Sequence, residues 1–122
     1  MAVVLALLAV IAAALLLPFG ASRIESRPRP AHTYEEALTR VQALRAVDTP
    51  AIAAGCGTAL LTHGRRTAHV VVLLHGLTNC PAQFDSLARM VHARGANVLV
   101  PRLPHHGLAD RMTDELARLD AR

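Results

Sequence analysis

The pattern of hydrophobic and polar positions divides the chain into four parts. Residues 1–21 are almost wholly apolar, residues 22–33 are rich in proline and arginine, residues 34–55 begin with helical periodicity, and residues 56–122 alternate between apolar runs and turns. Only the last part has the alternation of strand-like and helix-like segments that is typical of an α/β domain. We therefore predict an N-terminal membrane or signal segment, a stiff linker, a spacer helix with its loop, and an α/β domain.

The N-terminal segment contains no charged side chain from Ala2 to Leu17. As a helix this run is about 24 Å long, and extension to Ala21 brings it close to the roughly 30 Å of a hydrocarbon core. Two interpretations stay open: an uncleaved single-pass anchor, which the length favours, and a cleaved signal peptide, for which Phe19 disrupts the small-residue cleavage pattern. An anchor would place residues 2–21 in a lipid bilayer, whereas cleavage would give a secreted protein. The side of the membrane stays undetermined, although the arginines of the linker favour the cytoplasm.

The third part begins with a predicted helix. Thr33 is suited to cap it, and two glutamates follow in the first turn, where the helix dipole favours negative charge. Apolar residues then recur at helical spacing until Asp48. We interpret this element as a surface spacer helix without chemistry of its own.

The fourth part predicts a β-α-β unit in residues 68–100. The apolar run at residues 68–74 does not alternate, which is typical of a strand buried on both faces. Pro81 suits a helix start and Gly95 a helix end, and residues 97–100 form the next buried strand. A short strand at residues 57–62 precedes the unit. The connection between this strand and residues 68–74 is short, which favours a hairpin of the two strands. The family resemblance described below instead places residues 97–100 between them.

Composition adds few constraints on partners. The formal net charge is +4 and every basic residue apart from histidine is an arginine. Seven of these arginines, at positions 40, 45, 89, 94, 102, 111 and 118, are scattered singly, and no interleaving of basic and aromatic residues occurs. We therefore expect no nucleic-acid partner. The two cysteines, Cys56 and Cys80, are too few for a disulfide scaffold. They are either two free buried thiols or, outside the cytoplasm, one disulfide.

Two strand ends carry the chemistry. His75-Gly76-Leu77 follows the first predicted strand of the β-α-β unit, and Pro104-His105-His106-Gly107 follows the second. Ligands of open α/β sheets lie outside the carboxyl ends of the strands. These two segments, with the strands that precede them, resemble the third strand with its oxyanion loop and the fourth strand with its His-Gly loop of the alpha/beta-hydrolase superfamily. Within that superfamily, the two segments most resemble those of esterases, monoacylglycerol lipases and serine aminopeptidase-like hydrolases.

The resemblance covers about residues 56–122 and implies the N-terminal part of a mostly parallel α/β sheet, with residues 97–100 inserted between the two earlier strands. It also implies an oxyanion hole in which the Leu77 backbone N–H is a donor, Gly76 lets the backbone approach the substrate, and His75 orients the loop. The predicted pocket-lining residues are Thr78, Asn79, His105, His106 and Gly107. No metal ligand set and no cofactor are predicted.

The catalytic residues of the family are not predicted within this chain. The G-x-S-x-G motif that carries the serine nucleophile does not occur in the sequence, and the acid and the base follow it in the family's chain order. The resemblance therefore implies an incomplete domain: the N-terminal portion of a membrane-anchored serine hydrolase of carboxylic esters or related small acyl substrates, inactive alone. The alternative is a complete, non-enzymatic, membrane-anchored α/β binding or interaction module.

Overall fold

The computed structural model describes residues 3, 4, 6, 7, 11, 12 and 27–115. The chain divides into two units, one of residues 29–120 and the other of residues 1–28 together with 121 and 122. The first unit contains a small sheet and two α-helices. Most of the apolar N-terminal run lies outside the described residues.

The first α-helix, α1, spans Tyr34–Ala46. It begins where the sequence predicts, since the Thr33 hydroxyl accepts a hydrogen bond from the N–H three residues later at 3.1 Å. The hydroxyl of its first residue shares a 2.5 Å hydrogen bond with Thr62 Oγ1, and Arg45 Nε donates to the Thr58 carbonyl at 3.2 Å. These two contacts attach both ends of the helix to residues that flank the first strand.

Three short strands form one sheet. Strand β1 is Ala59–Leu61, β2 is Val70–Val72 and β3 is Asn97–Val100, in the order β1-β3-β2. The 3-10 helix Pro81–Phe84 and the second α-helix, α2, Asp85–Ala93, connect β2 to β3. Strands β2 and β3 are parallel, which confirms the predicted β-α-β unit, and β3 lies between the two earlier strands as the resemblance implied.

The crossover helix ends as its sequence predicts. The backbone of Gly95 has a φ of 95°, a conformation that side chains with a Cβ rarely adopt, and its N–H donates to the His92 carbonyl at 2.8 Å. The turn that follows leads directly into β3. Glycine at this position therefore fixes where α2 stops and where the central strand begins.

Helix α2 covers one face of the sheet. Ala88 of α2 is 1% exposed and packs with Val98 and Val100 of β3, which are 0% and 2% exposed. This cluster is completed by partly buried neighbours from the sheet, the 3-10 helix and α2: Ala59, Leu61, Leu73, Phe84 and Val91. Successive side chains of a strand point to opposite faces, so the alternate residues of each strand form this core.

The other side chains of β2 are open to solvent. Val70, Val72 and Leu74 are 63%, 52% and 62% exposed. The expectation that residues 68–74 form a strand buried on both faces is therefore wrong for this unit. A run of branched apolar residues marks a strand that is capable of burial, but the run does not specify what covers its second face.

Two features of the predicted fold class require correction. The sheet is mixed, because β1 pairs antiparallel with β3 while only β2 pairs parallel with it. A strand of three residues carries no signal of its direction in its sequence, which is why the expectation of a mostly parallel sheet failed. In addition, no helix in the described part of the chain is long and apolar enough to cross a membrane, so a preceding transmembrane helix is not supported.

Candidate functional site

The carboxyl ends of β2 and β3 meet at one edge of the sheet. Because the two strands are parallel, the segments that follow them leave the sheet on the same side. The contact between them is direct: the Leu103 N–H donates to His75 Nε2 at 3.1 Å, and the His75 and His106 rings lie 5.1 Å apart between centroids. The structure thus brings together the two segments from which the sequence predicted a site.

His75 joins these segments through both nitrogens of its ring. The residue is 4% exposed, and its Nδ1 lies 3.0 Å from the Gly76 carbonyl oxygen. A carbonyl can only accept, so Nδ1 carries the proton and Nε2 is free to accept from the Leu103 N–H. The ring is therefore held in one tautomer between the two strand tips.

The loop after His75 exposes backbone donors. Residues 76–79 are all exposed, and the Asn79 N–H donates to the Gly76 carbonyl at 3.1 Å, which closes a turn. Within residues 27–115, the Leu77 N–H has no hydrogen-bond acceptor. No atom lies within 4 Å of the position that a Cβ on Gly76 would occupy. The loop therefore presents an unpaired amide beside open space.

A pocket of about 320 Å³ lies between the two segments; we call it the strand-tip pocket. Six of the eight predicted site residues line it: Leu77, Thr78, Asn79, His105, His106 and Gly107. His75 and Gly76 do not line it. The remaining lining residues were not predicted and come mainly from loops before β1 and after residue 107: Ala53, Cys56, Cys80, Leu108, Asp110, Arg111 and Thr113.

The two histidines of the second segment have different surroundings. His105 adopts a positive φ of 62° and its Nδ1 lies 2.8 Å from a carboxylate oxygen of Glu115. His106 is 4% exposed, and its Nδ1 lies 2.7 Å from the Pro104 carbonyl oxygen. The ring of His106 therefore supports the pocket wall. No group of three or more histidine, cysteine or acidic side chains suited to a metal ion occurs among the described residues.

The cysteines are paired. Cys56 and Cys80 form a disulfide with a Cα–Cα distance of 5.2 Å, and both line the strand-tip pocket. The sequence left this pairing open, because a spacing of 24 residues specifies neither proximity nor oxidation. The bond links the segment before β1 to the end of the Leu77 loop.

Gly107 lies in close contact with Cys56 in the lining of the strand-tip pocket. Its φ is 73°, and a Cβ added to it would come within 3.0 Å of the Cys56 Cβ and 3.2 Å of the Cys56 carbonyl oxygen. Its own carbonyl accepts from the Ala53 N–H at 2.8 Å. Glycine is thus required here by both conformation and space. It allows the segment after β3 to pack against Cys56 of the disulfide.

A largely buried ion pair between Arg102 and Asp48 was not predicted from the sequence. Arg102 Nε donates to Asp48 Oδ1 at 2.6 Å, with the two side chains 8% and 15% exposed. The other carboxylate oxygen of Asp48 accepts from the Thr58 N–H at 2.6 Å, and Arg102 also donates to the His106 carbonyl at 3.2 Å. The pair therefore connects the loop after β3 to the segment before β1.

Hydrogen bonding sets the ionisation of this pair. Burial opposes the charged form of Asp48, but the hydrogen bonds from Arg102 and from the Thr58 N–H outweigh it, so the pKa of the Asp48 carboxyl lies below its ordinary value. Asp48 and Arg102 are 54 residues apart in the chain. No periodicity or local motif links residues at that separation, and this is why the contact could not be predicted from the sequence.

No family model matches the chain, and the comparisons with curated proteins and with solved structures found no significant similarity either.

Proposed function

We propose that this chain carries the oxyanion-binding part of a serine acyl hydrolase that acts on carboxylic esters or related acyl compounds. The observation that carries the proposal is the Leu77 N–H, which points to no acceptor within residues 27–115 and belongs to a residue of the strand-tip pocket. An amide held in this way is suited to stabilise negative charge that develops on a substrate oxygen.

The support for this role comes from how the loop is held. An oxyanion donor must be fixed before the charge appears, because reorganisation would consume part of the stabilisation. Here His75 fixes the start of the loop to the neighbouring strand tip, and Cys80 fixes its end. Thr78 and Asn79, between these two points, would contact the acyl group or its leaving group.

The proposal assigns only part of a reaction to these residues. No G-x-S-x-G occurs in residues 1–122, so attack by a serine and proton transfer by a histidine are not assigned to any residue here. The expected property of the chain itself is binding of an acyl oxygen that carries negative charge. A short carboxylate such as butyrate is a suitable probe, since it is the product of ester hydrolysis and carries that charge in the ground state.

The test is a pair of substitutions at one position. Leu77→Pro removes the N–H, whereas Leu77→Ala retains it. Hydrogen bonds to charged groups contribute about 1.5–3 kcal/mol, so Leu77→Pro should weaken butyrate binding roughly ten- to hundredfold, while Leu77→Ala binds like the unchanged chain. Binding is measured as saturable shifts of the amide resonances at residues 76–79 by NMR.

A neutral control separates charge recognition from apolar contact. Butanol has a similar size and no carboxylate, and it should leave the Leu77 amide unshifted. Equal binding of butyrate by the proline and alanine variants, or equal shifts with butanol, would contradict the oxyanion role and favour a binding module of a different kind.

A further inference from the structure

We infer that the Cys56–Cys80 disulfide is a redox-sensitive positioning device for the Leu77 loop, so that the strand-tip pocket binds an acyl oxyanion more tightly while the disulfide is intact. The inference rests on the proposed function for the identity of the ligand. Its structural basis is independent of that ligand and lies in how the loop is attached.

The Leu77 loop has few attachments other than its ends. Its hydrogen bonds are local: His75 Nδ1 to the Gly76 carbonyl, the Asn79 N–H to the same carbonyl, and the Gln83 N–H to the Cys80 carbonyl. Among the described residues, none from 77 to 80 forms a hydrogen bond outside this local set. The side chains of residues 77–79 are exposed, so packing adds little restraint.

The loop is therefore held to the rest of the unit at two points. At the first, His75 accepts the hydrogen bond from Leu103. At the second, Cys80 is bonded to Cys56, which itself lies against Gly107. The disulfide thus connects three walls of the pocket: the Leu77 loop, the segment before β1 and the segment after β3.

Loss of the disulfide leaves the Leu77 loop attached at one point only, the hydrogen bond between His75 and Leu103. Reduction breaks the S–S bond and forms two thiols, and a small dithiol supplies both electrons and both protons as it is oxidised to its own cyclic disulfide. The core of α2 and β3 does not include either cysteine. Reduction should therefore increase motion at residues 77–79 while the sheet stays folded, and the unpaired amide should lose its fixed direction.

The experiment compares the oxidised chain, the dithiol-reduced chain and the double variant Cys56→Ser, Cys80→Ser. Two NMR readouts are recorded on each: 15N–1H heteronuclear NOEs at residues 77–79, and hydrogen exchange of the Val98 and Val100 amides. Butyrate titration is the third readout. The double variant is also treated with the dithiol, which should change nothing in it and so excludes effects of the reagent.

We expect NOE values at residues 77–79 to fall on reduction and in the double variant, with protection at Val98 and Val100 unchanged. Butyrate affinity should fall about tenfold or more, the effect of losing about 1.4 kcal/mol of binding free energy. Unchanged NOE values would overturn the inference. So would loss of protection in β3, because the disulfide would then stabilise the whole unit rather than position the loop.

The two proposals fail separately. If butyrate binds the oxidised and reduced chains equally well, the positioning inference is overturned while the oxyanion role stands. If butyrate binds neither, the oxyanion role fails, and the NOE values alone decide whether the disulfide holds the loop.

Discussion

Asp48 and Arg102 connect three segments of the chain through one ion pair. The pair is largely buried, and each partner also binds backbone groups: Asp48 accepts from the Thr58 N–H, and Arg102 donates to the carbonyls of Val47 and His106. Removal of one partner of such a pair leaves the other charge uncompensated. Because His106 lines the strand-tip pocket, the pair also attaches one pocket residue to the segment before β1.

Asp48→Asn should destabilise the fold by about 1–3 kcal/mol, since it leaves the largely buried Arg102 guanidinium without its counter-charge. The measurement is urea unfolding at neutral pH. The matched control is Asp85→Asn, because Asp85 and Arg89 form an exposed pair on α2 with side chains 62% and 71% exposed. The control should leave the free energy of unfolding nearly unchanged, and a similar loss in both variants would contradict the role of the buried pair.

The same pair gives a pH dependence with a definite sign. The folded-state pKa of Asp48 is lowered, so its contribution to stability is fully present above the unfolded pKa of about 3.9 and is lost as the pH falls through the lower folded value. The unchanged chain should therefore lose stability below about pH 4. The Asn variant should lack that part of the loss, which urea titrations from pH 2 to 5 would show.

Residues whose role depends on their neighbours in the chain could be predicted. The Thr33 cap and the Gly95 helix end each follow from a few adjacent residues. Two contacts could not be predicted, because each joins distant segments of the chain: the Asp48–Arg102 ion pair and the packing of Gly107 against Cys56.

At the scale of elements, the exposed face of β2 is the main difference from the expected fold. Val70, Val72 and Leu74 point away from α2 and are more than half exposed, whereas Leu73 packs with the core. The run of branched residues correctly predicted a strand, and the flanking Pro81 and Gly95 correctly predicted the crossover helix. The number of faces of β2 that are covered could not be predicted, because the same run of apolar residues occurs in strands covered on one face and in strands covered on both.

An exposed apolar strand at the edge of a sheet favours association between chains. Val72→Lys should therefore reduce concentration-dependent light scattering with little change in the melting temperature, because the side chain is already exposed. Val71→Lys is the matched control: Val71 is partly buried and pairs with the core residue Val98, so its side chain lies on the face that α2 covers. A charge on that face should destabilise the fold by about 1 kcal/mol or more. Equal effects of the two substitutions would contradict the assigned orientation of the strand.

At the scale of the whole unit, the proposed function depends on strand order and direction. The parallel pairing of β2 with β3 brings His75 and Leu103 together although they are 28 residues apart. The β-α-β pattern in the sequence was sufficient to predict that the two segments share one edge of the sheet. The antiparallel direction of β1 was not predicted, and the Cys56–Cys80 disulfide was left open as one of two alternatives.

The central claim is that two strand tips form one pocket. Detection of the hydrogen bond from the Leu103 N–H to His75 Nε2 tests this claim most directly. A through-hydrogen-bond 15N–15N coupling experiment on labelled chain detects such a contact between the two nitrogen atoms. We expect a cross-peak that joins the Leu103 amide nitrogen to His75 Nε2, with the ring proton on Nδ1. Absence of the coupling together with a proton on Nε2 would show that the tips do not meet in this way, and the pocket and the proposed oxyanion role would lose their structural basis.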